Sequence, residues 1–197
     1  MKNNKFLIKH ESGFSLIELL TIVAIAFILS MIAIPNFMLW KANYRFRNAM
    51  ADLYSSLQET RMLAMKDRMT YTMTFNQVID NVTYDYVVFK DNNRNRLYDT
   101  GDALDLPLRN NLQGGTKRIM VNLSDYVNVE FGDVSIIETT DADGKKMQTV
   151  SYLTNGMRMS PAIDQSPGYI QLKNTKNGTV RQVNISRAGR LNITEVQ

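Results

Sequence analysis

The chain has 197 residues and a formal net charge of +4, with no cysteine and a single histidine, His10. Without cysteine there is no disulfide framework, thiolate metal site or cysteine nucleophile, and one histidine in the N-terminal tail rules out Ser-His-Asp catalysis and the usual zinc sites. The charge is uneven, since Lys2, Lys5 and Lys9 against Glu11 give residues 1–13 a charge of +2, so the overall basicity is weak evidence for a nucleic-acid partner.

The first element is apolar. From Phe14 to Ile34 nearly every residue is hydrophobic, and a helix of that length spans about 30 Å, enough for a bilayer core. A cleaved secretory signal fits poorly, because the run is too long and no small-x-small cleavage site precedes Pro35. A plain single-pass anchor is the other generic reading. Three lysines precede the span and Lys41, Arg45 and Arg47 follow it, so the positive charges hardly set its direction. Glu18 sits badly with that reading: a carboxylate inside a membrane helix costs roughly 2.5–3.5 kcal/mol by insertion scales. It is tolerated if it lies near the interface or complements the positive end of the helix dipole.

The stretch "GFSLIELL" at residues 13–20, behind a short lysine-bearing leader, resembles the class III signal of type IV pilins and pseudopilins. The resemblance implies a leader of residues 1–13, cleavage after Gly13 by a prepilin peptidase, and N-methylation of Phe14. It implies a transmembrane and filament-core helix over 14–35, with Pro35 where family members carry a helix-disturbing proline. It also implies that Glu18, the fifth residue of the mature chain, pairs with the N-terminal amine of a neighbouring subunit during assembly. Two buried opposite charges offset one another and fix a register.

Beyond Pro35 the helical period continues. Phe46, Ala49, Met50, Leu53, Leu57 and Ala64 form an apolar stripe, with Arg47, Asp52, Gln58, Glu59, Lys66 and Asp67 on the polar side; this predicts an amphipathic helix over 36–68. Met50, Met62, Met65 and Met69 read as core filler. From Tyr71 the period becomes two. Strands are expected at "YTMTF", "VTYDYVVF", 118–123, 127–131, 148–153, 169–172 and 180–185. Turn signals separate them at Gly114-Gly115, Asp143-Gly144, Asn155-Gly156, Asn177-Gly178 and Ala188-Gly189. A long helix followed by short antiparallel strands over 69–197 is an α+β layout. Its pilin-like form, with the helix packed on a C-terminal antiparallel head, is what the family resemblance implies.

Three later stretches narrow that resemblance. "VSYLTNGMRMS" is similar to the strand and glycine–arginine turn of H-type pseudopilins and FimT/FimU-type minor pilins, with Arg158 displaced by one. "DNNRNRLYDTGDAL" resembles their acidic loop, and "VNISRAGRLNI" their C-terminal strand pair. The implied function is a non-enzymatic minor subunit near the tip of a type II secretion pseudopilus or a type IV pilus. Its partners are other major and minor pilins in the bacterial inner membrane, with the head in the periplasm.

Two further stretches are candidate sites. Asp91, Asn93, Asn95, Asp99 and Asp102 stand at positions one, three, five, nine and twelve of a calcium-loop spacing. Arg96 replaces the turn glycine, Asp102 is shorter than the usual bidentate glutamate, and Arg94 and Arg96 would repel the ion. Asn and Asp also cluster in ordinary loops, so a plain loop is expected and no metal or cofactor. Residues 171–197 carry Lys173, Lys176, Arg181, Arg187 and Arg190 against Glu195, a charge of +4. Some FimT-type minor pilins bind DNA through basic residues near the C-terminus, which makes a DNA-uptake subunit using Arg181, Arg187 and Arg190 the alternative function. Asn192 stands where a second arginine often follows in those proteins. Phosphate binding needs several cations converging, and a solvated hairpin with "RAGR" as its turn is the simpler expectation. No carboxylate pair, Asp99 and Asp102 included, is placed in a recognisable cleft, so no enzyme is expected.

Overall fold

The structure is a computed structural model that describes residues 15–79, 81–99, 120–121, 123, 126–140, 146–159 and 167–196. The expected leader, Gly13, Phe14, Asp102 and the turns at 114–115 and 143–144 lie outside the described residues. One helix, α1 (Leu16–Asp67, 52 residues), is followed by nine strands: β1 (Thr70–Ile79), β2 (Val82–Asp91), β3 (Met120–Val121), β4 (Val129–Ser135), β5 (Ile137–Thr140), β6 (Lys146–Tyr152), β7 (Gly168–Asn174), β8 (Val180–Ile185) and β9 (Leu191–Val196). The α+β layout is as expected. The chain divides into two compact units, 1–40 and 41–197.

In the first unit every described helical residue is exposed, and this is the one helix among the described residues long and apolar enough to cross a membrane. Its polar side chains turn back onto their own backbone. Thr21 Oγ1 donates to the Ile17 carbonyl at 2.8 Å, Ser30 Oγ to Ala26 at 2.7 Å and Asn36 Nδ2 to Ile32 at 3.2 Å. Pro35 lies inside the helix and lacks the N–H that would bond the Met31 carbonyl.

The second unit contains two antiparallel sheets, with strand orders β3-β2-β1-β6-β5 and β4-β7-β8-β9. The half of α1 from Lys41 buries Ala42, Phe46, Ala49, Met50, Leu53, Leu57, Leu63 and Ala64, the stripe that period 3.6 predicts. These meet Tyr71, Met73, Phe75, Tyr86, Val88, Val150 and Tyr152 of the first sheet and Ile170, Leu172, Val183 and Ile185 of the second in one core. Met50 belongs to this core, but Met62 and Met65 are exposed, contrary to the expectation that the methionines fill it. They lie off the buried stripe.

The opposite face of β1 also differs from its pattern. The threonines of "TYTMTF" alternate as a solvated face should, yet Thr70, Thr72 and Thr74 are all buried. Phe89 and Val87 share that face through the β1–β2 register, and Tyr98, from the segment after β2, packs edge-on to Phe89 with centroids 5.6 Å apart. Thr72 is satisfied within the layer: its Oγ1 lies 2.7 Å from Ser151 Oγ and donates to Asp91 Oδ2 at 3.1 Å.

Burial pushes the hydroxyls of Tyr71 and Tyr152 well above the ordinary tyrosine value of 10.0. The Asp67 carboxylate adds to this at Tyr71, and the charges of Arg61 and Arg158 oppose it at Tyr152. A phenol that stays protonated when folded but ionises when unfolded stabilises the fold fully below pH 10.0, and that contribution is lost as pH rises beyond it. The melting temperature of the full chain should therefore fall above pH 10.0, and the Tyr71→Phe/Tyr152→Phe variant should show a flatter alkaline limb. An identical slope in both proteins would contradict this.

Candidate functional site

The N-terminal turn of α1 carries the strongest functional feature. The Ser15 carbonyl accepts from the Glu18 and Leu19 amides at 3.0 and 3.1 Å, which makes Ser15 the N-cap and places Glu18 in the first turn. Ser15 and Glu18 have capping-box spacing. A carboxylate here is favoured by the helix dipole. Glu18 is the only ionisable side chain between Ser15 and Trp40, and among the described residues its carboxylate has no hydrogen-bond or ion-pair partner. At the other end of the apolar run, Phe37 and Trp40 stack with centroids 5.9 Å apart, just before Lys41. Pro35 lies two residues before Phe37 in the same exposed helix.

The acidic loop uses its oxygens locally. Asp91, 1 % exposed, accepts from Thr72 and from the Arg96 amide at 3.0 Å through Oδ2. The side-chain amides of Asn93 and Asn95 both donate to Asp99 Oδ2 at 2.7 Å. Asn93 Oδ1 and Asn95 Oδ1 accept from the backbone amides of Asn95 and Leu97, the Asx-turn pattern of an ordinary loop. Arg94 and Arg96 take left-handed φ of 61° and 66°, so the site of the missing turn glycine is reached without one. No group of three or more His, Cys, Asp or Glu able to hold a metal occurs among the described residues.

The three C-terminal arginines are not brought together. Arg187 and Arg190 are exposed in the β8–β9 turn, whereas Arg181 lies near the start of β8 and is bonded to Glu195 at 3.2 Å. The four residues from Arg181 to Ile185, at the turn end of the strand, span roughly 13 Å. Lys173 is likewise near Glu130, at 3.6 Å.

The structure brings forward a residue that sequence reasoning passed over. Arg61, on α1, donates through Nε to the Gly156 carbonyl at 2.9 Å and through its terminal nitrogen to the Ala188 carbonyl at 3.1 Å. One guanidinium thus joins the turn after β6 to the turn between β8 and β9. The Arg158 amide donates to the Arg187 carbonyl at 3.0 Å and ties the same two turns through the backbone. At the other end of this helical half, Asn43 Oδ1 accepts from Asn174 and Asn177 of the β7–β8 turn at 3.1 and 2.8 Å. No local pattern distinguishes Arg61 from the polar helix face, because its acceptors lie 95 and 127 residues away.

A cleft of about 350 Å³ opens between β1, β4 and β6, lined by Phe75, Phe131, Asp133, Lys146 and Gln148. A register shift in β4 between Phe131 and Val134 forms one wall. Asp133 accepts from the Tyr169 hydroxyl at 2.6 Å, a bond that raises the pKa of that phenol. Nothing in the lining selects a ligand class.

No protein family, characterised protein or solved structure matches the chain.

The Arg61 contacts yield two predictions. Arg61→Met leaves two carbonyls without their donor and should cost about 1–3 kcal/mol in denaturant unfolding. Gly178 and Gly189 both have left-handed backbones, φ 76° and 74°, but a Cβ on Gly178 meets nothing while one on Gly189 overlaps the Gly156 carbonyl and lies 2.8 Å from Arg61 Nε. Gly178→Ala should cost about 1–2 kcal/mol, and Gly189→Ala distinctly more. Equal losses in the two alanine variants would refute the close approach of the turns.

Proposed function

We propose that this chain is a minor subunit of a type IV pilus or a type II secretion pseudopilus, without catalytic activity, of the kind that H-type pseudopilins and FimT/FimU-type minor pilins exemplify. The observation that carries the reading is Glu18: one carboxylate, without a partner among the described residues, at the start of a helical stretch, Leu16 to Trp40, that is exposed on every side and otherwise uncharged.

In a generic anchor the helix dipole alone offsets a carboxylate that costs roughly 2.5–3.5 kcal/mol in lipid. A filament subunit gains more. Cleavage after Gly13 would create an α-amine on Phe14, and the amine of one subunit would pair with Glu18 of the next, offsetting two desolvation costs at once. The remaining helix surface makes the transfer inexpensive. Lipid tails are about as apolar as leucine side chains, so the helix can exchange lipid for like helices with little change in solvation. Thr21, Ser30 and Asn36 each donate a bond within the helix, which lowers what they demand of either environment. Trp40 and Lys41 mark where the helix would leave the inner membrane towards a periplasmic head. A prepilin peptidase and the other major and minor pilins are the partners this mechanism requires.

Glu18→Ala should be processed and retained in the membrane like the wild type, yet be missing from sheared filaments. Immunoblots of membrane and filament fractions read both quantities. Incorporation of the variant at wild-type level would sink the mechanism, and loss of processing would move the role of Glu18 to the peptidase step.

A further inference from the structure

The last turns of α1 and the two turns that Arg61 joins form one corner of the folded unit. Met62, Met65 and Met157 are 58 %, 42 % and 37 % exposed. Met62 and Met65 are neighbours at the i, i+3 spacing of a helix. Met65 lies directly against Gly156, where its Sδ would be 2.6 Å from an added Cβ, and Met157 is the next residue. Arg187 and Arg190 flank Ala188-Gly189 in the adjoining turn. Both are exposed, and neither has a carboxylate partner among the described residues.

We propose that this corner is a docking surface for a protein segment that presents apolar side chains beside carboxylates. Thioether chains are polarizable and reshape easily, which suits a surface that must fit a partner. The backing is fixed, because Arg61 holds both turns to the helix, so the partner meets adaptable side chains on a rigid base. The guanidiniums of Arg187 and Arg190 supply planar forks that match a carboxylate bidentately. Methionine and arginine are both enriched at protein interfaces. A phosphate backbone would satisfy the arginines but would bury no apolar surface against three methionines, which favours a protein over a nucleic acid. The inference does not depend on the filament reading.

The test is fluorescence anisotropy of a labelled peptide built from leucine and glutamate, titrated with the full chain in lipid nanodiscs, with empty discs subtracted. A peptide with serine for each leucine and a DNA duplex are the comparison probes. The leucine–glutamate peptide should bind, and the serine peptide should bind at least about tenfold more weakly. Arg187→Glu/Arg190→Glu and Met62→Ser/Met157→Ser should each weaken binding about tenfold. All four single substitutions are measured as well, so that a misfolded double variant leaves the outcome decidable. Equal binding of the two peptides, unchanged affinity in the substituted chains, or a DNA duplex bound more tightly than the leucine–glutamate peptide would each overturn the proposal.

Discussion

The constraint on which everything else depends is that one helix carries two kinds of surface. From Leu16 to Trp40 it is exposed on every side and almost wholly apolar; from Lys41 to Asp67 it has one buried stripe and a polar flank. An all-round apolar helix is stable only in lipid or among other apolar helices. A one-sided helix needs a folded partner, and the two sheets provide it, Met73 and Val150 from the first and Ile170 and Val183 from the second sharing one core with Leu53 and Leu57 of the helix. Both demands fall on the same element, α1.

Polar contacts refine what the stripe begins. Hydrophobic burial alone lets a helix slide or rotate over a sheet surface, since it is non-directional. Asn43 and Arg61 fix the position with directional bonds about 27 Å apart along the axis, one to the β7–β8 turn and the other to the turns at Gly156 and Ala188. Tyr126 donates to Asp52 between them. A Cβ at Gly189 would overlap the Gly156 carbonyl, and one at Gly156 would meet the Met65 and Arg61 side chains of α1, so neither turn has room for one.

Much of this was legible in the residues. The stripe from Phe46 to Ala64 announced the packed face because period 3.6 survives any tertiary detail. The turns at Asn155-Gly156, Asn177-Gly178 and Ala188-Gly189 fall where their left-handed glycines required. Strand β5 was not foreseen; "IETT" is short, and as an edge strand it needs only the register of β6. The buried threonines of β1 were also missed, since a period of two shows that two faces differ but not that a later segment covers the polar one. Arg61 was invisible for a related reason: a side chain that bonds residues far along the chain leaves no local pattern. In the acidic loop the spacing suited an ion, but spacing does not say which way oxygens point, and Asn93 and Asn95 direct theirs at neighbouring amides.

The account's central claim is that the apolar helix acquires its free amine by cleavage and uses Glu18 to receive another. Intact-mass spectrometry of the protein isolated from its native membrane tests this most directly. The account predicts a chain that begins at Phe14 and carries one added methyl group; an intact Met1 terminus would contradict it and leave Glu18 as a feature of a plain membrane anchor.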